Sequence, residues 1–209
     1  MRLADFSFDL PPELIAQRPL ASRSDSRLLL LDAAAGTGPR DLRIVDLPDL
    51  LAPGDLLVFN DTRVVPARLP ARKPTGGRLE ILLERVTGAD QVLAQVRGGK
   101  GLREGTVLDT AGGPVEVLAR EADLWRLRFP GPPLEVLERH GQVPLPPYIE
   151  READADDRER YQSVLARVPG SVAAPTASLH FDPPLLSRLD ALGVRRATVT
   201  LHVGAGTFQ

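Results

Sequence analysis

Residues Pro169 to Phe181, PGSVAAPTASLHF, set glycine, serine, alanine and threonine side by side just ahead of a histidine. Side chains this small cannot fill a core by bulk, so the segment suits something that comes close to its backbone. Gly170 and Ala174 leave room, Pro175 stiffens the chain, and Ser171, Thr176 and His180 add polar handles at a spacing that lets them face one cavity. That combination describes the floor of a small-molecule pocket. A tight loop between two helices is the structural alternative. Three further stretches carry chemistry. Asn60-Asp61-Thr62-Arg63 follows the apolar run Asp55 to Phe59, and ligands of α/β proteins gather beyond the carboxyl ends of strands; the alternative there is an Asx turn that reverses the chain. In Arg97-Gly98-Gly99-Lys100-Gly101 the backbone N–H groups can wrap a phosphate that Arg97 and Lys100 neutralise, or the turn is a solvated hairpin tip. Gly204-Ala205-Gly206-Thr207 follows an alternating stretch, but it lacks the third glycine of a dinucleotide fingerprint, so a Rossmann reading is rejected.

Composition narrows the chemistry. The 209 residues are 43% hydrophobic and 26% charged, an ordinary globular balance with enough chain for one large domain or two small ones. Zero cysteines exclude disulfides, thiolate zinc sites and cysteine nucleophiles, and three scattered histidines leave little for a metal. Oxygen, imidazole and guanidinium groups must do the work. The N-terminus MRLADFSFDL carries acids where a signal peptide needs a basic and then an apolar segment. No apolar run approaches the ~18 residues of a membrane span, so a cytoplasmic location is expected, with no membrane partner. A net charge of −2 supplies no global field toward nucleic acid, so any such contact must be a local patch.

The elements that would position these groups read as α/β with an interruption. Pro11 and Pro12 start a short helix that Arg18-Pro19 ends. Arg27 to Asp32 and Asp55 to Phe59 read as buried strands. From Val65 to Gly141 the texture changes to short alternating strands with glycine-rich turns, the pattern of a small antiparallel barrel. This part holds 12 basic against 10 acidic residues, more basic than the rest. Leu134 to His140 closes it as a helix with Pro133 at its start and Gly141 at its stop. Beyond lie the stiff, extended Pro144 to Ile149 and a helix opening at the acidic Glu150 to Asp157, with Tyr161, Val164, Leu165 and Val168 on one face. Asp182 caps a helix carrying Leu185, Leu186, Leu189 and Leu192, stopped by Gly193. A last strand spans Ala197 to Val203, its apolar face patterned for burial. The expected architecture is therefore a barrel-like α/β main domain, residues 1–64 and 142–209, interrupted by a small antiparallel β-barrel, residues 65–141.

In order, DLPPELIAQRP, DSRLL, FNDTRVVPARL, RGGKG, GQVPLPPYI, Tyr161-Gln162, GSVAAPTASLHF and VTLHVGAGTFQ closely resemble the S-adenosylmethionine:tRNA ribosyltransferase-isomerases of queuosine biosynthesis. The resemblance runs from Asp5 to Gln209. It implies an α/β barrel-like fold interrupted by a small β-barrel. The reaction it implies moves the ribosyl part of S-adenosylmethionine onto 7-aminomethyl-7-deazaguanine at the tRNA wobble position, giving epoxyqueuosine and releasing adenine and methionine. Two departures stand out. Ser178 replaces the glycine usual in the family's PTAGLHF motif, where its hydroxymethyl either crowds the pocket or lines it. The family also continues past GAGTFQ with a segment that completes the main domain, so the 209 residues by themselves are expected to be inactive.

The implied chemistry assigns roles. The sulfonium acidifies the adjoining ribosyl carbon, a base removes a proton there, and adenine leaves. His180 and His202 are the candidates for proton handling, each with a structural, hydrogen-bonded histidine as the alternative. Gly170, Ser171, Ala174, Thr176, Gly204, Gly206 and Thr207 are expected to hold S-adenosylmethionine, a substrate rather than a cofactor. Asn60, Asp61, Arg63, Arg97, Lys100 and Tyr148 are assigned to RNA or the substrate base, a guanidinium fork suiting phosphate. No metal or other cofactor is required, and a monomer is expected. The competing reading is an RNA-binding module without catalysis.

Overall fold

The computed structural model describes residues 1–32, 36 and 38–208. Gln209 and most of the loop after Asp32 lie outside them. Past short 3-10 turns, β1 (Arg27–Leu30) pairs antiparallel with β2 (Arg40–Arg43) as a two-stranded ribbon. The Arg27 to Asp32 run is thus a strand but not a buried one: Leu29 is 63% and Leu31 69% exposed. Four consecutive leucines state apolarity without stating which face is covered, and among the described residues this ribbon has no third strand beside it. Two strands follow, β3 (Leu56–Asn60) and β4 (Thr62–Val64).

The barrel is built from β5 (Arg68–Arg72), β6 (Arg78–Val86), β7 (Gln91–Arg97), β8 (Val107–Thr110), β9 (Val115–Glu121) and β10 (Leu124–Arg128). It closes in the order β10-β7-β6-β5-β8-β9. Alternation sends Leu69, Ile81, Val92, Leu108, Val117 and Leu127 inward, where they are almost fully buried. Helix α1 (Pro133–His140) covers this core with Leu137. Val172 and Ala205 join the same cluster, so the small-residue segment and the GAGT turn pack directly on the barrel.

The remaining elements are α2 (Asp157–Arg160), β11 (Val168–Ser171), α3 (Pro183–Leu192) and β12 (Arg195–Val199). Strand β11 pairs parallel with β4, and β12 pairs parallel with β3. The fold is therefore α/β with a small closed antiparallel barrel. Asp182 accepts a 2.9 Å bond from the Leu185 N–H at the start of α3, and Gly193 ends it in the left-handed region at φ 86°. Leu185, Leu189 and Val194 form a second core against Leu57 and Phe181. Phe59 meets Phe181 edge to face, with centroids 4.9 Å apart.

Three expectations are corrected here. Strand β3 is buried on one face only, since Leu56 and Val58 point outward and are exposed. The last strand is shorter than Ala197 to Val203 and exposed throughout, because residues 200–203 turn away to bond Asn60 and Ser171. The helix expected to run through Val168 stops at Arg160, although Tyr161, Val164, Leu165 and Val168 keep helical spacing. Tertiary bonds outcompete it: the Gln162 amide accepts from and donates to the Val64 backbone at 2.9 and 3.1 Å, and the Asp61 carbonyl takes the Arg167 and Val168 N–H groups.

Candidate active site

Segment Thr200–Thr207 is held from both sides, and two β-bulges do much of the holding. The first lies on β11, where the register with β4 slips between Pro169 and Ser171 and leaves Gly170 as the extra residue. Gly170 has φ +146°, and a Cβ built on it would lie 2.8 Å from Cε1 and Nε2 of His202. The absent side chain is the space the imidazole occupies. On its other edge His202 Nδ1 is 2.7 Å from the Thr62 hydroxyl, itself fully buried. Asn60 reaches the same segment, donating to the Leu201 carbonyl at 2.8 Å and accepting from its N–H at 3.1 Å.

The second bulge lies on β6. Its register with β7 slips between Leu83 and Arg85, and the extra residue, Glu84, accepts from the Ala205 N–H at 3.0 Å. Its carboxylate also abuts Gly204, where an added Cβ would come within 2.5 Å of Oε1. A bulge commonly re-aims a side chain in this way, and here it ties the barrel wall to the GAGT turn. Ser171 completes the scaffold: it is fully buried, donates to the Ala173 carbonyl at 2.7 Å and accepts from the Val203 N–H at 2.9 Å. Its hydroxyl is spent on backbone and does not open into a cavity as a handle.

A cleft of about 240 Å³ lies against this scaffold. Its floor is Ala173, Ala174, Pro175 and Thr176, Val203 and Thr207 close one side, and Pro146, Tyr148 and Tyr161 close the other. Ala174, Thr176, Thr207 and Tyr148, drawn from three separate stretches, thus meet at one cavity. Burial pushes the Tyr161 hydroxyl up to about 12, with the Ala174 backbone opposing it and Tyr148 pushing the same way, so this phenol remains a neutral hydrogen-bond donor at ordinary pH.

The other sequence candidates sit elsewhere. His202 is exposed beside Gly170 and His180 is half-buried at the end of a 3-10 turn, and neither lines the cleft. Gly204 lies under Glu84, and Gly206 faces open space. Asp61 is 2% exposed; one carboxylate oxygen takes Thr200 Oγ1 at 2.6 Å and the other takes Arg167 Nη2 at 2.7 Å. Those bonds, Thr200 first and Arg167 second, hold its carboxyl below the ordinary range against the effect of burial. Arg63 points to Glu138 at 3.6 Å, beside a separate small depression lined by Tyr161 and Gln162. Arg97 lines a larger depression of about 590 Å³ with Arg68 and the 145–147 wall. Lys100 stands on the exposed turn, its carbonyl bonded by Lys73 Nζ at 2.6 Å. Ser178 folds its hydroxyl onto the Pro175 carbonyl at 2.8 Å and is nearly buried, so it braces the turn and leaves the cleft uncrowded. No group of three or more histidine, aspartate or glutamate side chains among the described residues is placed to hold a metal.

Residues that carry the site without having been assigned a role in it are Glu84, Thr62, Tyr161 and Arg167. Glu84 had a faint signal, the adjacent Leu82 and Leu83 that break strict alternation before it. Arg167 had none, since its partner Asp61 is 106 residues away.

The fold and site define an α/β protein with a closed six-stranded barrel packed against a small-residue cleft floor. Residues 3–209 match the family model described as queuosine biosynthesis protein, and the chain belongs to that family. It is 55% identical over 209 residues to an S-adenosylmethionine:tRNA ribosyltransferase-isomerase of Burkholderia cenocepacia, covering 99% of this chain and 59% of that protein. To the protein of the same name from an Azoarcus species it is 57% identical over 212 residues, covering 100% and 61%. The chain thus spans about three fifths of the length of these curated relatives. A crystal structure of an S-adenosylmethionine tRNA ribosyltransferase from Thermotoga maritima is 30% identical, with 97% of this chain and 59% of that one covered and a TM-score of 0.40.

Proposed function

We propose that this chain forms part of an S-adenosylmethionine-dependent tRNA ribosyltransferase-isomerase, acting on 7-aminomethyl-7-deazaguanine at the wobble position to give epoxyqueuosine, adenine and methionine. The activity belongs to the whole protein, of which relatives carry further length. The observation that carries the reading is the cleft itself. Ala174, Thr176, Thr207 and Tyr148 converge on a concave space whose apolar walls carry hydroxyl tips, the usual form of a small-molecule site. S-adenosylmethionine lies on the Ala173–Thr176 floor as a substrate, and no metal or other cofactor takes part. His202 is the favoured proton acceptor, because Thr62 holds Nδ1 and the Gly170 bulge sets the plane of the ring. His180 is the second candidate. Gly170, Ser171, Gly204 and Gly206 serve by shaping backbone, Asn60 and Asp61 by fixing segment 200–202, and Arg63 by meeting RNA.

RNA approaches from the barrel side. The depression beside Arg97 shares Leu145, Pro146 and Ile149 with the cavities around Tyr148, so phosphates held by Arg97 and Lys100 would bring a base toward the cleft. Residues 65–141 act as an inserted domain in this arrangement, with 1–64 and 142–209 forming the other. The tRNA substrate implies a cytoplasmic location, the protein acts as a monomer, and no helix among the described residues is long and apolar enough to cross a membrane. Calorimetry tests the reading against the RNA-binding alternative. The chain binds both S-adenosylmethionine and tRNA saturably, and Ala174→Leu abolishes the first while circular dichroism is unchanged. Binding of tRNA with no heat from S-adenosylmethionine would return the protein to a binding module.

A further inference from the structure

A second cavity of about 210 Å³ lies behind the cleft, sharing Pro146, Tyr148, Tyr161 and Thr176 with it as a common wall. Its remaining apolar lining comes from Ala16, Pro19, Leu145, Ile149 and Leu179. Three guanidinium groups line it, and each is already engaged. Arg151 grips Asp157 with bonds of 2.7 and 2.8 Å, Arg18 meets Asp154 at 2.9 Å, and Arg160 donates to the Leu20 and Ala21 carbonyls at 2.6 and 3.0 Å. The carboxylates of Asp154 and Asp157 thus offset the charge of Arg18 and Arg151, and Arg160 is tied to backbone, which lowers the pull of this cavity on an anion. Polar tips remain nonetheless. The Tyr148 and Thr176 hydroxyls bond no described residue, and the half-buried Tyr161 phenol, which meets the Ala174 backbone, stands in the wall between the two cavities.

Flat aromatic and proline surfaces with neutral hydroxyls at the edge select a neutral, planar ligand whose rim makes hydrogen bonds. We infer that this chamber is a slot for a purine-like base. The inference rests on the proposed function, which supplies two such bases, the adenine of the donor and the deazaguanine of the RNA. In either case the shared wall lets the base sit behind Tyr148 and Tyr161 while the sugar attached to it remains in the front cleft.

Equilibrium dialysis of the 209-residue chain against radiolabelled adenine, and in a parallel arm against 7-deazaguanine, tests this. At least one base binds saturably, and the tighter one identifies the source. Tyr148→Ala, at an exposed position that leaves the fold intact, weakens that binding about fivefold or more through lost stacking, and Leu179→Trp, which fills only the rear chamber, removes it. Absence of saturable binding by either base overturns the inference, as does unchanged binding in both variants; if Leu179→Trp fails to fold, Tyr148→Ala alone decides. Free-base binding without S-adenosylmethionine binding would keep the chamber and refute the donor reading. Wild-type affinity for S-adenosylmethionine in folded Leu179→Trp, with base binding unaffected, would do the reverse.

Discussion

Replacing Gly170 by alanine probes how the bulge holds His202. The backbone there has φ +146°, a region that L side chains avoid, so the added Cβ costs about 1–3 kcal/mol in strain. The new methyl would also lie 2.8 Å from the His202 ring. Because His202 is exposed, the ring can swing out and relieve the clash. What is then lost is its 2.7 Å bond to Thr62, about 0.5–1.5 kcal/mol, with a buried hydroxyl left behind. The two contributions sum to roughly 2–4 kcal/mol, and at about 2–4 °C per kcal/mol for a protein of this size the melting temperature falls roughly 5–15 °C. Thermal unfolding followed by circular dichroism reads the stability. Imidazole nitrogen shifts read the ring, whose Nδ1 should lose the signature of a hydrogen-bonded partner. A double-mutant cycle separates the parts: on a His202→Ala background the glycine change should cost only the strain term. A melting temperature within about 2 °C of the parent, together with unchanged His202 shifts, would refute the argument that the bulge exists to seat this ring.

Two further tests address the other ties. Glu84→Ala removes the acceptor for the Ala205 N–H and should lower the melting temperature by about 2–4 °C, near 1 kcal/mol for a half-buried charged acceptor, whereas Glu84→Gln retains a carbonyl oxygen and should recover most of the loss; equal behaviour of the two would show that the contact is incidental. Asp157, held low by Arg151 against the effect of burial, and Asp61, held low by Thr200 and Arg167, both have folded values beneath the ordinary 3.8. The unfolded chain therefore binds protons first, so their stabilisation is complete above that ordinary value and fades as pH falls through the folded ones. Urea midpoints measured from about pH 5 to about pH 2.5 should drop along that limb, and Asp157→Asn should flatten it; an equally steep limb in the variant would clear Asp157 of the effect.

The barrel was legible because its information is local. Leu79, Ile81 and Leu83 alternate with Glu80 and Leu82, and the same period recurs in β7, β9 and β10, so each strand declares its inward face wherever it ends up. Helix α3 was legible for a like reason, with Asp182 and Gly193 marking its ends by short-range bonds. The cleft floor announced itself through side-chain size, and the order of motifs carried the family. Three features resisted, and in each a contact distant in sequence decided. Whether Leu29 and Leu56 are covered depends on which strands lie beside them and over them, and a run of leucines does not say. The stop of α2 at Arg160 depends on Val64 and Asp61 competing for the backbone and side chains that follow. Ser171 looked like a handle and proved to be an internal tie, since its hydroxyl donates to the Ala173 carbonyl and the arrival of Val203 supplies the N–H that it accepts. Sequence alone thus determined the alternating barrel strands, the ends of α3 and the close-approach backbone, because those follow from residue size, period and φ preference. The tertiary structure decided which polar groups remain free for a ligand, because burial and hydrogen-bond partnership are settled only when chain segments more than a hundred residues apart are brought to within 3 Å.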